Sequence, residues 1–600
     1  MKQLIIDIET NGITDWAKLS DLKEVFVLSI LDRDTNTMHS FNNQSGGNIE
    51  EGIELLNSAD EIIGHNIISF DIPALFKLYG FGHPNLTDTI ILSRCIYPDL
   101  RNDDFKRDDF PTKLIGSHSL KAWGQRLNIL KGEFGETSDW SAWSHQMQDY
   151  CEQDVRVTGA LYTWLMSQNP SPQMVKLEHD FAKHIRKQEY NGFPFDTKKA
   201  EQLNKTLMER RAELELELQE VFEPATETLK SRWWVNANGD KFPTKKAMLE
   251  SGYKAKECFQ GDYKTREIPF NPNSRDQIAD RLMKAGWEPA SYEGKRPAIN
   301  EAVLKEIGTE QSEKLLEYLL VSKRLGALSE GAQAWLSSVR DGHIYGSVNT
   351  NGTISGRCSH QRPNMGQIPS TNSPYGAECR ELFTAKEGSV LVGADASGLE
   401  LRCLAHYLSA YDDGKYAKIV TEGDVHTANQ EAAGLPKRAD AKTFIYAWLY
   451  GAGDAKIGSI VNGSADDGAR LKENFMQKNP AVRYLTEAVR RKVKQYGILK
   501  GLDGRKLPCR SPHSALNLLL QSAGAVIMKQ ALCEFVYSAT KPYEMHANVH
   551  DEVQFSCKAE DADVLGQQFV DSIKKAGEVL NFACPLDGEY SVGNNWKETH

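Results

Sequence analysis

Short apolar runs that end on carboxylates constrain this chain more than any other feature. Leu4-Ile5-Ile6 leads into Asp7 and Glu9, Val390-Leu391-Val392-Gly393-Ala394 into Asp395, and Val549-His550 into Asp551 and Glu552. Such runs read as buried strands. A strand alternates its side chains, so Asp7 and Glu9 leave the same face. The fold has to bury the runs and still gather the acids at strand ends. Helical patterns alternate with these strands, which predicts a mixed α/β, multidomain architecture. With 600 residues and 40% hydrophobic content, about three or four domains are expected.

Residues 1–168 alternate strand-like runs (Leu4–Ile6, Val25–Leu28, Glu61–Gly64) with helical stretches, and 167–172 reads as a linker. From 173 to about 340 the pattern is mostly helical. Asp196 and Thr197 cap a long helix running to about Phe222, with Leu203, Leu207, Leu214 and Leu218 in its apolar stripe. Between about 222 and 268 the periodicity fails. That stretch holds nine Lys or Arg, seven Asp or Glu and the Trp233-Trp234 pair, and reads as an inserted loop or small subdomain. From about 341 strands return, near 389–396 and on both sides of His550-Asp551-Glu552, with a helix-rich block between them.

Ten cysteines without a CxxC pair argue against a zinc ribbon and predict reduced, partly buried thiols. The N-terminus reaches Asp7 at once, unlike a secretory signal, and no apolar stretch approaches the ~18–20 residues of a membrane span. A soluble, intracellular protein is expected. The net charge of −11 does not exclude a nucleic-acid partner, because DNA responds to local basic patches.

The first acidic pair has company. Asn66 to Asp71 forms an N-x3-F-D element in which Asp71 opens a helix, and Tyr150 and Asp154 share one helix face at i and i+4. Singly, Asp71 reads as a helix cap and Asp154 as part of a solvated face. Together, four carboxylates can hold two hard divalent cations that activate a water and stabilise the leaving oxygen of a phosphodiester. This set resembles the DnaQ-like exonucleases of the tyrosine subtype across the whole first region. The resemblance implies an RNase H-like domain in which Asp7, Glu9, Asp71 and Asp154 hold two metals. Tyr150 would orient the attacking water, with Glu9 assisting. Asp88 and Asp149 are nearby alternatives that fall on no motif position.

The second set begins with Asp395 at the end of a buried strand, followed by a helix from Leu399-Glu400-Leu401-Arg402. It closes with the Val549-His550-Asp551-Glu552 hairpin. Acids at the ends of two adjacent strands could share two metals, as phosphoryl transfer requires. Between them a helix repeats Arg438, Lys442, Tyr446 and Tyr450 every four residues and meets Gly451. From Arg438 to Tyr446 it rises ~12 Å and the stripe turns by ~80°, enough for a triphosphate followed by sugar and base.

Here the chain resembles family A (Pol I-like) DNA polymerases, most closely the replicative enzymes of short-tailed bacteriophages. The motifs are D-A-S-G-L-E-L-R at 395–402, R-x3-K-x3-Y-x3-Y-G at 438–451 and V-H-D-E at 549–552. Ser355-Gly356-Arg357, Pro363-Asn364, Gln367-Ile368-Pro369, the stretch 501–506 and Leu519 to Gly524 extend the match. The resemblance implies a right-hand polymerase domain: thumb 173–340 with the insertion, palm 341–425 and 531–600, and fingers 426–530. Asp395 and Asp551 would bind two Mg²⁺ (or Mn²⁺), with the acid Glu552 close by in the catalytic set. Arg438, Lys442 and His426 would contact the incoming deoxynucleoside triphosphate. Tyr446 would stack on the nucleotide, its hydroxyl implying tolerance of dideoxynucleotides, and Tyr450 would occupy the template-base position. Glu400 would exclude a 2′-hydroxyl. Arg357, Gln521 and His550 would track the primer–template duplex.

Eight Lys or Arg lie within 490–510 against the single acid Asp503, which reads as a phosphate track that includes Arg505 and Lys506. The phage relatives carry, between the thumb helices, a larger loop that recruits thioredoxin; here the insertion is shorter and different. A processivity factor at the insertion, a helicase–primase and a single-strand-binding protein are the further partners considered. The chain offers no room before Asp7 for a 5′-nuclease domain, which favours replication, in the cytoplasm of an infected bacterium. A nuclease alone would leave the Arg438–Tyr450 stripe idle. Glu400, Tyr446 and the first region are wrong for a single-subunit RNA polymerase, and a dead subunit would have lost carboxylates.

Overall fold

The structure, a computed structural model, describes residues 1–44, 47–130 and 140–600. The first apolar run is the central strand of a five-stranded sheet. Strand β1 (Gln3–Thr10) lies between antiparallel β2 (Val25–Asp32) and parallel β4 (Glu61–Gly64), with β3 (Thr37–Asn42) and β5 (Leu86–Asp88) at the edges. Leu4, Ile5 and Ile6 are all buried, as a strand covered on both faces requires. Helix α1 (Asp71–Tyr79) follows β4, and α2 (His145–Ser167) packs along β1 and β2.

After the turn at 168–171, Pro172 opens α3 (Pro172–Asn191), where its missing N–H does no harm. Leu177, Phe181 and Ile185 of α3 lie in the large core shared with the C-terminal sheet. The chain divides into two compact units, Met1–Asp196 with Val339–His600, and Thr197–Ser338. The second unit begins after α3, whose apolar stripe is covered by the larger core.

In the Thr197–Ser338 unit, the helix Thr197–Val221 buries Leu207, Leu214 and Leu218 and pairs with the helix Glu310–Leu325 through Arg210 and Glu317 at 2.7 Å. The stretch without helical periodicity is a three-stranded antiparallel sheet, Lys241–Phe242, Ala225–Val235 and Phe259–Ile268. Lys245 sits over the Trp234 ring at 5.1 Å and Lys264 over Trp233 at 5.1 Å.

The other carboxylates sit on a four-stranded antiparallel sheet. Strand β6 (Val390–Ala396) is flanked by β8 (Glu552–Cys557) and β9 (Gly588–Gly593), and β7 (Glu544–Val549) borders β8. Helix α4 (Leu399–Asp412) leaves β6, and α5 (Arg438–Leu449) carries the basic and aromatic stripe. Helices α6 (Ala515–Ser538) and α7 (Ala562–Val579) supply the cover: Phe535 meets Phe555 of β8 at 5.3 Å and Phe569 of α7 at 5.2 Å. The expectation that no segment has the length and apolarity of a membrane span is corrected here. Pro512–Ser538 passes that test by composition, yet 78% of its window is buried, as befits the central helix of a core. All ten cysteines are free thiols.

Phe535 is fully buried and Phe76 of α1 is 65% exposed. Phe535→Ala should cost about 3–5 kcal/mol of stability through lost burial and a cavity, whereas Phe76→Ala should stay within about 0.5 kcal/mol. Denaturant unfolding of the two variants checks the contrast, and equal midpoints would show the core is misassigned.

Candidate active sites

Asp7 and Glu9 sit side by side on one face of β1, and α2 lays Cys151 over them. One carboxylate oxygen from each acid and the Cys151 Sγ all lie within 4.8 Å of one another. The thiol donates to the Asp7 carbonyl at 3.3 Å, with the Asp7 carboxylate at 3.7 Å. Burial pushes the Cys151 thiol well up, and Asp7, Glu9 and Asp154 push it further. Asp154 lies buried one turn along α2, its charge felt by Cys151.

Asp71 approaches β1 from the start of α1. The residue capping α1 is Phe70 and makes no side-chain cap bond, so Asp71 stands inside the helix start and does not cap it. Its buried carboxyl lies against the backbone N–H of Ile8, between Asp7 and Glu9 in the chain. Burial pushes it up to about 7, and Asp88 adds to the shift. Asp88 acts as a support for the backbone, its carboxylate accepting from the N–H groups of Asn66 at 2.9 Å, Ile68 at 3.2 Å and Ile90 at 3.0 Å. Asp149 is exposed on α2. Tyr150 is half-buried, its ring edge-on to Trp140 at 6.3 Å.

At the second site, strand pairing sets Asp395 opposite Glu552 on one side and Glu589 on the other. Asp551 lies in the turn between β7 and β8, and its carbonyl accepts the Ala396 N–H at 3.1 Å, which pins the turn to the end of β6. His550 adopts φ 59° to make that turn. Burial, then Asp551 and Glu552, pushes Asp395 up to about 8. Asp551 is likewise raised, by burial and by Glu400.

Glu552 behaves differently. Burial opposes its charge, but His600 and Arg380 hold its carboxyl below the usual range. It accepts from His600 Nδ1 at 2.9 Å, Gln554 Nε2 at 2.7 Å and the Trp596 indole, with Arg380 at 3.7 Å. Its oxygens are taken up by internal donors, and its charge adds to the repulsion felt by Asp395.

On α5, Lys442 is exposed and Arg438 makes a two-pronged pair with Asp424 at 2.7 and 2.9 Å. Asp424 caps the helix Val425–Ala433, which carries His426. Burial, then Arg438 and Lys442 beside it, lowers the His426 pKa, so the three basic side chains converge. Burial pushes Tyr446 up to about 12, with Glu400, Asp551 and Asp395 among the charges it feels. Tyr450 donates to Glu400 Oε1 at 3.3 Å, and Arg357 reaches the same oxygen at 3.6 Å. Gly451 ends the helix at φ 73°, a conformation that favours glycine.

Gln521 lies half-buried on α6, and His550 and Lys506 are exposed. Arg505 requires a correction. It is buried, and its guanidinium is taken up by Asp503 at 2.6 Å and by Glu178; a phosphate could not reach it without displacing an internal ion pair. The remaining cations of 490–510 are exposed, with Arg510 turned onto Asp99.

Cys151 and the partners of Glu552 were beyond sequence reasoning, because no spacing connects residue 151 to 7 or 596 to 552. Asp424 had a signal, an acid just before a helix. Asp7 and Glu9 present hard oxygen donors beside Cys151, with Asp71 reached through the Ile8 N–H and Asp154 through Cys151, and Asp395 and Asp551 present them at the second site; such oxygens are the ligands that hard divalent cations take.

Comparisons with known proteins agree on the wider identity. The family model for DNA polymerase family A matches residues 244–598. The DNA-directed DNA polymerase of Enterobacteria phage T3 is 35% identical, with 100% of both chains covered. That of Escherichia phage T7 is 36% identical over 90% of this chain and 92% of its own. Among solved structures, the POL domain of Pol1 from M. smegmatis, in complex with DNA primer-template and dNTP, superposes with TM-score 0.75 at 16% identity, over 99% of this chain and 96% of that one. The mixed α/β fold is thus that of a family A POL domain, and the chain belongs to DNA polymerase family A.

Proposed function

We propose that this chain is a replicative DNA-directed DNA polymerase with its own 3′→5′ proofreading exonuclease. The observation that carries the polymerase reading is the pair Asp395 and Asp551 at adjacent strand ends, sensed by Tyr446 of the basic helix α5. The curated relatives from phages T3 and T7 bear the same activity in their names. In this reading 341–425 and 531–600 form the palm, 426–530 the fingers, and 173–340 the thumb, with residues 1–168 as the RNase H-like exonuclease domain. The Asp7 and Glu9 pair, with Asp154 near Cys151 and Asp71 against the Ile8 N–H, supports the second activity.

Asp395 and Asp551 would hold two Mg²⁺, or Mn²⁺, and the first cluster a second pair; bound there, the metals activate the attacking oxygen and stabilise the leaving one. The chain's own groups do the rest. Arg438, Lys442 and His426 bind the triphosphate, which requires Arg438 to exchange Asp424 for phosphate. Tyr446 stacks on the nucleotide, and Tyr450, tied to Glu400, occupies the template position until a base displaces it. Glu400 fills the space of a 2′-hydroxyl. Arg357, Gln521, His550 and Lys506 follow the duplex. Glu552 holds the Asp551 turn through Trp596, His600 and Arg380. At the other site Tyr150 orients the attacking water, with Glu9 assisting. Catalysis rests on positioning and electrostatics. The enzyme acts in the cytoplasm of the infected host, with a processivity factor, a helicase–primase or a single-strand-binding protein as further partners.

An end-labelled primer on a longer template, followed with Mg²⁺ with and without deoxynucleotides, tests the reading. Extension with nucleotides and 3′ shortening without them are expected; shortening under both conditions would leave a nuclease. Asp551→Asn should lower extension by about 10²–10³-fold or more and spare degradation. Asp7→Ala should remove degradation and leave extension intact. Equal loss of both activities in either variant would end the two-site division.

The raised Asp395 pKa also bears on stability. It lies near 8 in the folded chain against 3.8 ordinarily, so the stability linked to its protonation is lost as pH rises through that window. In metal-free buffer the melting temperature should fall between about pH 4 and about pH 8 and level off above that, and Asp395→Asn should flatten the fall. An unchanged slope would mean that Asp395 does not carry the fall.

A further inference from the structure

Two adjacent residues of α3 point into different polar networks. Glu178 is fully buried and accepts from Lys529 Nζ at 2.8 and 2.7 Å, from Asn351 Nδ2 at 2.8 Å and from the Arg505 guanidinium. Arg505 also meets the fully buried Asp503 at 2.6 Å, and Lys529 donates to the Thr350 carbonyl at 2.8 Å. Two buried cations thus face two buried anions. Such clusters add little net stability over apolar packing of the same shape, so what this one supplies is geometry. The geometry is fixed at Thr350 and Asn351, the root of the loop between strands Ser347–Asn349 and Ser359–Gln361. That loop carries Arg357, which reaches Glu400 beside Tyr450.

His179 serves the other network. Its Nδ1 lies 2.7 Å from the Val175 carbonyl, which makes it the donor and leaves Nε2 to accept the Asp88 N–H at 2.8 Å. Asp88 in turn holds the Asn66 and Ile68 N–H groups, in the turn that delivers Asp71. Neighbours on a helix are ~100° apart, so one rigid element reaches both networks.

We propose that α3 is a shared positioning element: His179 sets Asp71 at the first site through Asp88, and Glu178 sets Arg357 and Glu400 at the second through Lys529 and the 350–358 loop. Neither residue touches substrate. The inference rests on the two-activity reading, and the full chain tests it. His179→Leu should lower single-strand degradation about 10–100-fold, with extension rate and deoxynucleotide KM unchanged. His179→Gln, whose carbonyl can accept the same N–H, should recover most of the loss. Glu178→Asp keeps the charge and shortens the reach. It should raise deoxynucleotide KM and weaken discrimination against ribonucleotides, with degradation unchanged. Melting temperatures are recorded for all variants. Parallel loss of both activities tracking the melting temperature, no change in either activity, or failure of His179→Gln to rescue would overturn the proposal. A wild-type chain that neither extends nor degrades would instead overturn the two-activity reading itself.

Discussion

Carboxylates crowded at the ends of buried strands repel one another, and most of what surrounds them exists to hold them there. Burial raises both carboxyls and repulsion adds to it: Asp71 rises to about 7 with Asp88 beside it, and Asp395 to about 8 with Asp551 and Glu552 beside it. A folded chain tolerates this only where the backbone is already fixed by a sheet. Both groups therefore sit on or beside central strands, β1 in one sheet and β6 in the other. The energetic strain is what a divalent cation would relieve, so the same repulsion that weakens the empty site favours the filled one.

Two acids near the sites repel their neighbours and are also tied to internal donors. Glu552 and Asp88 lie within the same clusters but direct their oxygens to internal donors, Glu552 to side chains and Asp88 to backbone N–H groups. In the proposed reading, the distinction separates ligands from supports. Removing one partner from a buried polar network leaves the rest unsatisfied, so the supports are as intolerant of change as the ligands, for a different reason. Glu178 and His179 extend this logic one layer outward, from the helix that joins the core of the C-terminal sheet to the turn below Asp71.

The motifs on elements were legible in the sequence because each is a local pattern. The strand ending at Asp395, the i and i+4 placement of Tyr150 and Asp154, and the stripe on α5 all follow from period and spacing. Arg505 escapes such reasoning for the same cause. In a run of cations each looks like surface, and burial depends on Glu178, which lies more than 300 residues away. The Pro512–Ser538 helix shows the opposite limit: composition alone matches a membrane span, and only the surrounding core decides otherwise.

The sequence by itself determined which carboxylates, tyrosines and cations are present, in which order, and on which face of each strand or helix, because side-chain direction follows the backbone period. Tertiary structure alone decided how charged those groups are and which are bound to neighbours. It lowered Glu552 and raised Asp395 although both are acids at paired positions of adjacent strands. Ionisation depends on burial and on partners distant in the chain, and neither is written in any local pattern.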